Sequence, residues 1–216
     1  RERTWKAKYD PDTANLLDDF YVPALRCAGR YDRATGYFSA SSLARAARGI
    51  EGLVANDGHM RLIVGATLGP DEVKAIEEGE ELAATVGKHL STCPLKAEGP
   101  DQADALELLA WMVAQGHLEV RVAVPCGESR KPMPTAGIFH AKTGVIADAE
   151  GDRIAFSGSV NETAQGWTNN WESFHVFRDW DGGQEHVDSE EATFARLWSD
   201  RANHARVVDV SEAVRG

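Results

Sequence analysis

The chain has 216 residues, of which 43% are apolar and 26% are charged, a composition typical of one sizeable α/β domain. No run of about 18 apolar residues occurs, which excludes a membrane span, and the charged N-terminus is not a signal peptide. The formal net charge of −11 argues against a protein that coats DNA in general, because such proteins are usually basic.

Helical and strand patterns alternate along the first half of the chain. Apolar residues at helical spacing predict a helix over 11–29, capped by Asp12, and a strand follows over 31–38. A second helix is predicted over 41–55, and the apolar run over 60–66 has the composition of a buried strand. Another helix starts near Pro70, followed by acidic residues that suit the helix dipole.

A polar connection over 91–100 separates this half from a second series of elements. Strands that alternate with helices predict one α/β domain, a layered sandwich whose mixed, mostly parallel sheet is buried with helices on both faces. The predicted elements are a helix over 102–115, strands over 118–124, 138–147, 153–157 and 171–177, and a final helix over 184–202.

The residues with the most specific chemistry lie between Gly137 and Phe177. His140 and Lys142 are two residues apart in a predicted strand, so both side chains should leave the same face. Burying either charge is costly without a partner, and a bound anion would compensate both. A pair facing solvent at a sheet edge explains the same two residues.

A polar cluster follows the next predicted strand. Ser159 and Glu162 match the capping box S-x-x-E, which makes Ser159 the cap of a helical turn. Backbone N–H groups at such a helix start form an anion site. Capping does not require Asn161, whose amide can donate to a phosphate oxygen. Glu172, at the start of the following strand, either orients a histidine or is a strand-end carboxylate in water.

The H-x-K of His140 and Lys142, followed by G-S-x-N-x-T, resembles the signature of the phospholipase D superfamily. The usual form is H-x-K-x4-D, but Ala147 stands at the Asp position and Asp148 comes one residue late. That departure puts an orienting role for Asp148 in doubt.

One branch of the superfamily lacks that Asp and uses a Glu downstream of the Asn, and the spacing of Lys142, Asn161 and Glu172 is similar. This branch includes metal-independent restriction endonucleases and nuclease domains of helicase-like restriction or phage-defence proteins. The segments 35–43 and 62–68 also resemble the helicase-linked domains.

The resemblance implies a metal-independent phosphodiesterase that hydrolyses nucleic acid, with DNA the expected substrate and no cofactor. In this superfamily a histidine attacks phosphorus to form a phosphohistidine, and a second histidine protonates the leaving oxygen. The catalytic residues implied are His140, Lys142, Asn161 and Glu172, and those that bind the substrate phosphate are Ser159, Lys142 and Asn161.

The chain contains one H-x-K, whereas the chemistry needs two histidines. The resemblance therefore implies a homodimer in which a second copy supplies the second histidine across a two-fold axis. In-chain substitutes remain an alternative, although none has a lysine two residues on: His59, His117 and His175.

Further contacts to DNA are expected at Arg130 and Lys131, which precede the active strand, and at Trp167. Arg130 and Lys131 are equally explained as solvated loop charges. Trp167 and Trp171 flank the site and can stack on bases.

Residues 1–216 are expected to form a single nuclease domain. The missing initiating methionine suggests a piece of a longer protein, and the resemblance implies that this protein is of the helicase type. Three scattered cysteines form no disulfide framework and favour the cytoplasm. The main alternative function is a catalytically silent DNA-binding or dimerisation module of a helicase. Such a module would not need all four catalytic residues to converge.

Overall fold

The structure is a computed structural model that describes residues 3–38, 45–66, 100–132, 137–161 and 169–209, together with positions 42, 71, 82, 84–86, 88, 163 and 166. Almost all of the helix predicted near Pro70 and of the connection over 91–100 lies outside these residues, as does Trp167.

The described elements follow the predicted alternation of helices and strands, with an additional short strand at each edge of the sheet. In chain order they are β1 (Lys8–Tyr9), a π-helical segment (Leu16–Tyr21) that continues into α1 (Val22–Arg26), β2 (Ala28–Thr35), α2 (Ala47–Ala55), β3 (His59–Gly65), α3 (Pro100–Gln115), β4 (Leu118–Pro125), β5 (Lys142–Asp148), β6 (Arg153–Gly158), β7 (Phe174–Arg178), a kinked turn (Asp179–Gly183), α4 (Gln184–Trp198) and β8 (Ala205–Asp209).

The strands form one sheet in the order β1-β7-β6-β5-β2-β3-β4-β8. Neighbours β2, β3 and β4 are parallel, and every other adjacent pair of these strands is antiparallel. The mixed sheet is confirmed, but the prediction that it is mostly parallel is wrong. Residues 149–152 alone join β5 to β6, far fewer than the dozen or so that a parallel crossover needs.

An aromatic core fills one face of the sheet. Phe20, from the π-helical segment, lies with its ring centroid 4.8 Å from that of Phe174 and 5.3 Å from that of Phe156. Tyr9 and Tyr21 are buried in the same cluster, and α2 adds Ile50 and Leu53. These contacts cover the face that carries the even-numbered residues of β6 and β7.

Helix α4 covers the opposite face. Its Phe194 packs against Ala34 and Ile63, and its Val187 packs against Val145 and Ala155. The predicted sandwich, with helices on both faces of the sheet, is therefore confirmed.

Ion pairs also join the sheet to α4. Asp32 of β2 has no exposed side-chain surface and accepts two hydrogen bonds of 2.7 Å from Arg61 of β3. Arg30 pairs with both Asp32 and Glu191 of α4, and the Arg61 guanidinium lies 5.1 Å from the Phe194 ring centroid. The buried carboxylate is thus paired on two sides, as burial of a charge requires.

Candidate active site

Lys142 is the first residue of β5, at the end of the sheet where β2 finishes. It pairs in register with Thr35, and only 8% of the residue is exposed. His140 lies before the strand, not within it as predicted, and is exposed. The two side chains therefore occupy different environments, although Lys142 Nζ donates to the His140 carbonyl at 3.5 Å.

Asn161 meets the same end of the sheet through its side-chain amide. Its Oδ1 accepts hydrogen bonds from the Tyr37 backbone N–H at 3.3 Å and from Thr35 Oγ1 at 3.4 Å. These bonds orient the amide, so its Nδ2 donors face away from Tyr37 and Thr35. Because Thr35 is the register partner of Lys142, the structure brings Asn161 and Lys142 together.

Gly36 sits where the segments carrying the candidate residues converge. A Cβ at this position would lie 2.9 Å from the Phe139 carbonyl oxygen, 3.6 Å from His140 Cα and 3.5 Å from Asn161 Oδ1. A Cβ at Gly65, which ends β3, would also lie 2.9 Å from the Phe139 oxygen. Two strand ends without side chains thus let the His140 segment approach the sheet closely.

Ser159 joins the polar loop to the segment before β7. Its amide donates to the Ser173 carbonyl at 2.9 Å, and its hydroxyl accepts from the Ser173 N–H at 3.1 Å. Thr163 Oγ1, not Ser159, accepts from the Gly166 N–H at 3.0 Å, which is the geometry of a helix cap. Glu162 of the predicted capping box lies outside the described residues.

Glu172 lies two residues before β7, and its Oε1 accepts from Asn170 Nδ2 at 3.1 Å. Burial lowers the pKa of Lys142, the Glu172 carboxylate partly opposes that shift, and the Arg33 guanidinium adds to it. Glu172 precedes β7 at the end of the sheet where β5 begins, and its neighbour Ser173 bonds Ser159, so Glu172 lies at the same end of the sheet as Lys142. The residues His140, Lys142, Asn161 and Glu172 therefore meet at one end of the sheet.

Arg33 is a buried cation beside the site that sequence reasoning missed. It is fully buried in β2, its guanidinium lies 5.1 Å from the Phe156 ring centroid, and it donates to the Val160 carbonyl. Gly144 lies between Arg33 and Phe156 in the sheet register, and a Cβ there would be 2.4 Å from the ring. The adjacent charges of Asp32 and Arg33 within a predicted strand were the available signal.

Arg130 and Lys131 lie elsewhere. They follow β4, which is three strand spacings, or about 14 Å, from β5. The Arg130 guanidinium pairs with Asp200 at 2.8 Å, and Lys131 is exposed. The structure does not bring these two side chains to Lys142, which favours the interpretation as loop charges.

The in-chain substitutes for a second histidine also lie away from Lys142. His59 pairs with Arg30, about 17 Å along β2 from Thr35, and His117 bonds Gly58 at that same far end. His175 lies on the same face of the sheet as its register partner Ser157, which in turn lies on the same face as Thr143. Lys142 is the neighbour of Thr143 along β5 and therefore points to the other face. None of these three histidines reaches the site.

Asp148 ends β5 about 20 Å from Lys142, which rules out an orienting role at the site. Its carboxylate instead accepts from the Glu150 and Asp152 backbone amides, beside a groove of about 1020 Å³.

Within the described part of the chain, no group of three or more His, Cys, Asp or Glu side chains could hold a metal ion. No helix among the described residues is long and apolar enough to cross a bilayer.

The mixed sheet between helical layers, with a His, a buried Lys, an Asn and a Glu at one end, defines a phospholipase D-like α/β domain. Residues 30–198 match the family model described as "Cardiolipin synthase, PLD-like domain", and the chain belongs to this family. The resemblance drawn from the H-x-K and G-S-x-N motifs is thereby confirmed. No curated protein matches significantly.

Two solved structures share the fold at low sequence identity, and a third is less similar. NucT from Helicobacter pylori is 14% identical with a TM-score of 0.55, over 94% of this chain and 96% of that one. A phosphatidylserine synthase from Haemophilus influenzae is 16% identical with a TM-score of 0.51, over 93% of this chain and 39% of that one. Nuc, a phospholipase D family member from Salmonella typhimurium, is 14% identical with a TM-score of 0.47, over 94% of this chain and 97% of that one.

Proposed function

We propose that the chain hydrolyses phosphodiester bonds in nucleic acid, with DNA as the substrate, without a metal ion. The family match supports phosphodiester chemistry in general. The observation that carries the proposal is that His140, Lys142, Asn161 and Glu172 all lie at one end of the sheet, with Lys142 buried and Asn161 oriented by hydrogen bonds. A silent binding module has no need of that arrangement.

In the proposed mechanism an imidazole nitrogen of His140 attacks phosphorus, the P–N bond forms and the bond to the leaving oxygen breaks. A second histidine donates the proton that the leaving oxygen takes up. Water then attacks phosphorus, that second histidine accepts its proton, and the P–N bond breaks to release the product. The exposure of His140 suits a nucleophile that must reach a polymer.

Lys142 and Asn161 hold the phosphoryl oxygens in this proposal. Lys142 is buried, and an ammonium group removed from water stabilises developing negative charge more strongly than an exposed one. The hydrogen bonds from Thr35 and Tyr37 fix Asn161 before substrate arrives, so little reorganisation is needed. Glu172 orients a histidine and stabilises its cationic form.

The second histidine in this proposal is His140 of a second copy, so the active site forms at a homodimer interface. The distant positions of His59 and His117, and the opposite face of His175, support this reading. Mixing wild type with increasing His140→Ala protein tests it. In a composite site a mixed dimer is inactive, so activity should fall with the square of the wild-type fraction after subunit exchange. A linear fall would contradict it.

Metal-independent cleavage is tested with plasmid and single-stranded DNA in excess EDTA, comparing wild type with His140→Ala. His204→Ala is a matched control, because His204 is also exposed and borders β8, far from β5. Cleavage by wild type and the control alone supports the proposal. Binding without cleavage by all three would instead favour the silent DNA-binding module.

We further propose that the domain works in the cytoplasm as part of a larger helicase-like protein, supported by the resemblance of segments 35–43 and 62–68. An antibody raised against the domain would test this on a blot of native extract. A band much larger than 23.5 kDa that copurifies with ATPase activity is expected. A band at the size of the domain would contradict the linkage.

A further inference from the structure

Two large aromatic side chains are exposed at the end of the sheet that carries the candidate site. Tyr37 is 58% exposed and Trp171 is 61% exposed, whereas most large apolar side chains of the described residues are buried. Tyr37 is attached to the site through its backbone N–H, which donates to Asn161 Oδ1. Trp171 immediately precedes Glu172. The two rings therefore belong to residues that lie next to Asn161 and Glu172 of the candidate site.

Trp171 is held in place although it is exposed. Its Nε1–H donates to Asp12 Oδ2 at 3.2 Å, and Lys8 Nζ lies 5.9 Å from the ring centroid. Asp10 pairs with Lys8 at 3.6 Å and so fixes the lysine as well. An indole that is oriented in advance loses little conformational entropy when a flat ligand stacks on it, which makes it a suitable platform.

The position of Trp171 relative to Lys142 follows from the sheet register. Thr143 of β5 pairs with Ser157 of β6, and Ser157 pairs with His175 of β7. Strands β5 and β7 are therefore two strand spacings, or about 10 Å, apart. Trp171 precedes β7 at the end where β5 begins. A strand of nucleic acid whose phosphate lies at Lys142 can thus place a neighbouring base against this ring.

We propose that Tyr37 and Trp171 stack against unpaired bases on either side of the bound phosphate, so that the substrate is a single strand. This inference rests on the proposed function and specifies its substrate. Aromatic rings beside a cationic phosphate site bind single strands because every base has a stacking face, which a duplex keeps inside its own stack. Lys8, beside Trp171, would contact the adjoining backbone.

The test compares Trp171→Ala and Tyr37→Ala with Trp111→Ala. Trp111 is a matched control, since it is 43% exposed and stacks on His117 at the opposite end of the sheet. Each protein is assayed on a single-stranded oligonucleotide, its duplex, and an oligonucleotide of the same length with abasic positions around the cleavage point. Trp171→Phe, which restores a flat ring, should recover part of the loss.

Wild type should prefer the single strand over the abasic one, and each ring removed should reduce that preference about 5- to 150-fold. The Trp111 variant should stay within about twofold of wild type, as expected where no base stacks. Equal behaviour of the Trp171 and Trp111 variants would overturn the inference. So would an equal loss on duplex and single strand, or dissociation of a dimer by Trp171→Ala in sedimentation, which would make the ring a subunit contact.

Failure of the proposed function gives a different result. Hydrolysis of bis(p-nitrophenyl) phosphate without cleavage of any nucleic acid would contradict a nuclease, and the stacking site would be rejected with it. Cleavage of nucleic acid that ignores Trp171 and Tyr37 would leave the nuclease standing and reject the stacking site alone.

Discussion

Replacing Gly36 with alanine should disturb the candidate site more than it disturbs the fold. The new Cβ would lie 2.9 Å from the Phe139 carbonyl oxygen, so that oxygen must retreat by about 0.5 Å to reach an ordinary contact of 3.4 Å. His140 follows Phe139 directly and must move with it. Because a misplacement of about 1 Å can cost about 100-fold in rate, half of that displacement predicts a loss of about tenfold.

The stability cost of Gly36→Ala should resemble that of other overpacked positions, about 1–3 kcal/mol. A domain of this size then loses about 2–4 °C in Tm per kcal/mol. Gly29→Ala, near the other end of β2, is the matched control, because a Cβ there meets nothing closer than 4.0 Å. kcat/KM on bis(p-nitrophenyl) phosphate, measured well below the melting transition, reports the effect. Equal activity of the two variants would refute the reasoning.

Two further changes test the electrostatics. Glu172→Gln removes a charge that raises the pKa of Lys142, so that pKa should fall further. If catalysis needs protonated Lys142, the alkaline limb of the kcat/KM profile must move to lower pH, and an unmoved limb would contradict this. Asp32→Asn should lower the free energy of unfolding, measured in urea, by about 3 kcal/mol, because it breaks the pair between the buried Asp32 carboxylate and the partly exposed Arg61. Asp188→Asn, at a half-exposed pair, should cost less than about 1 kcal/mol, and equal costs would refute the role of burial.

Elements with strong periodicity could be predicted from the sequence to within one or two residues. The strand expected over 60–66 is His59–Gly65, and the helix expected over 102–115 is Pro100–Gln115. The helix expected over 11–29 is shorter because Asn15, not Asp12, caps it by accepting from two backbone amides, while the Asp12 carboxylate bonds Trp171. That choice depends on a residue 159 positions away, which no local pattern contains.

The motif spacing predicts which residues form the candidate site, but it does not predict how they are arranged. The same spacing predicts that His140 and Lys142 act together, yet the strand begins only at Lys142, after a segment whose Phe139 carbonyl lies against the ends of two strands. The buried position of Arg33 depends on Gly144, whose missing side chain makes room for an aromatic ring beside the guanidinium. Periodicity identifies a face of a strand, whereas these features depend on which strands become neighbours.

A net charge of −11 is compatible with an anionic substrate because the relevant charges act locally. Exposed charges are screened over about 10 Å at 0.1 M salt, while Lys142 and Arg33 are buried, where an anion interacts with them at a lower effective dielectric. Acidic groups such as Asp32 and Glu191 are already paired with arginines. The overall charge therefore says little about the potential at the site. If the proposed substrate is nucleic acid, few of its phosphates would be held by cations, and stacking on bases would supply the rest of the affinity.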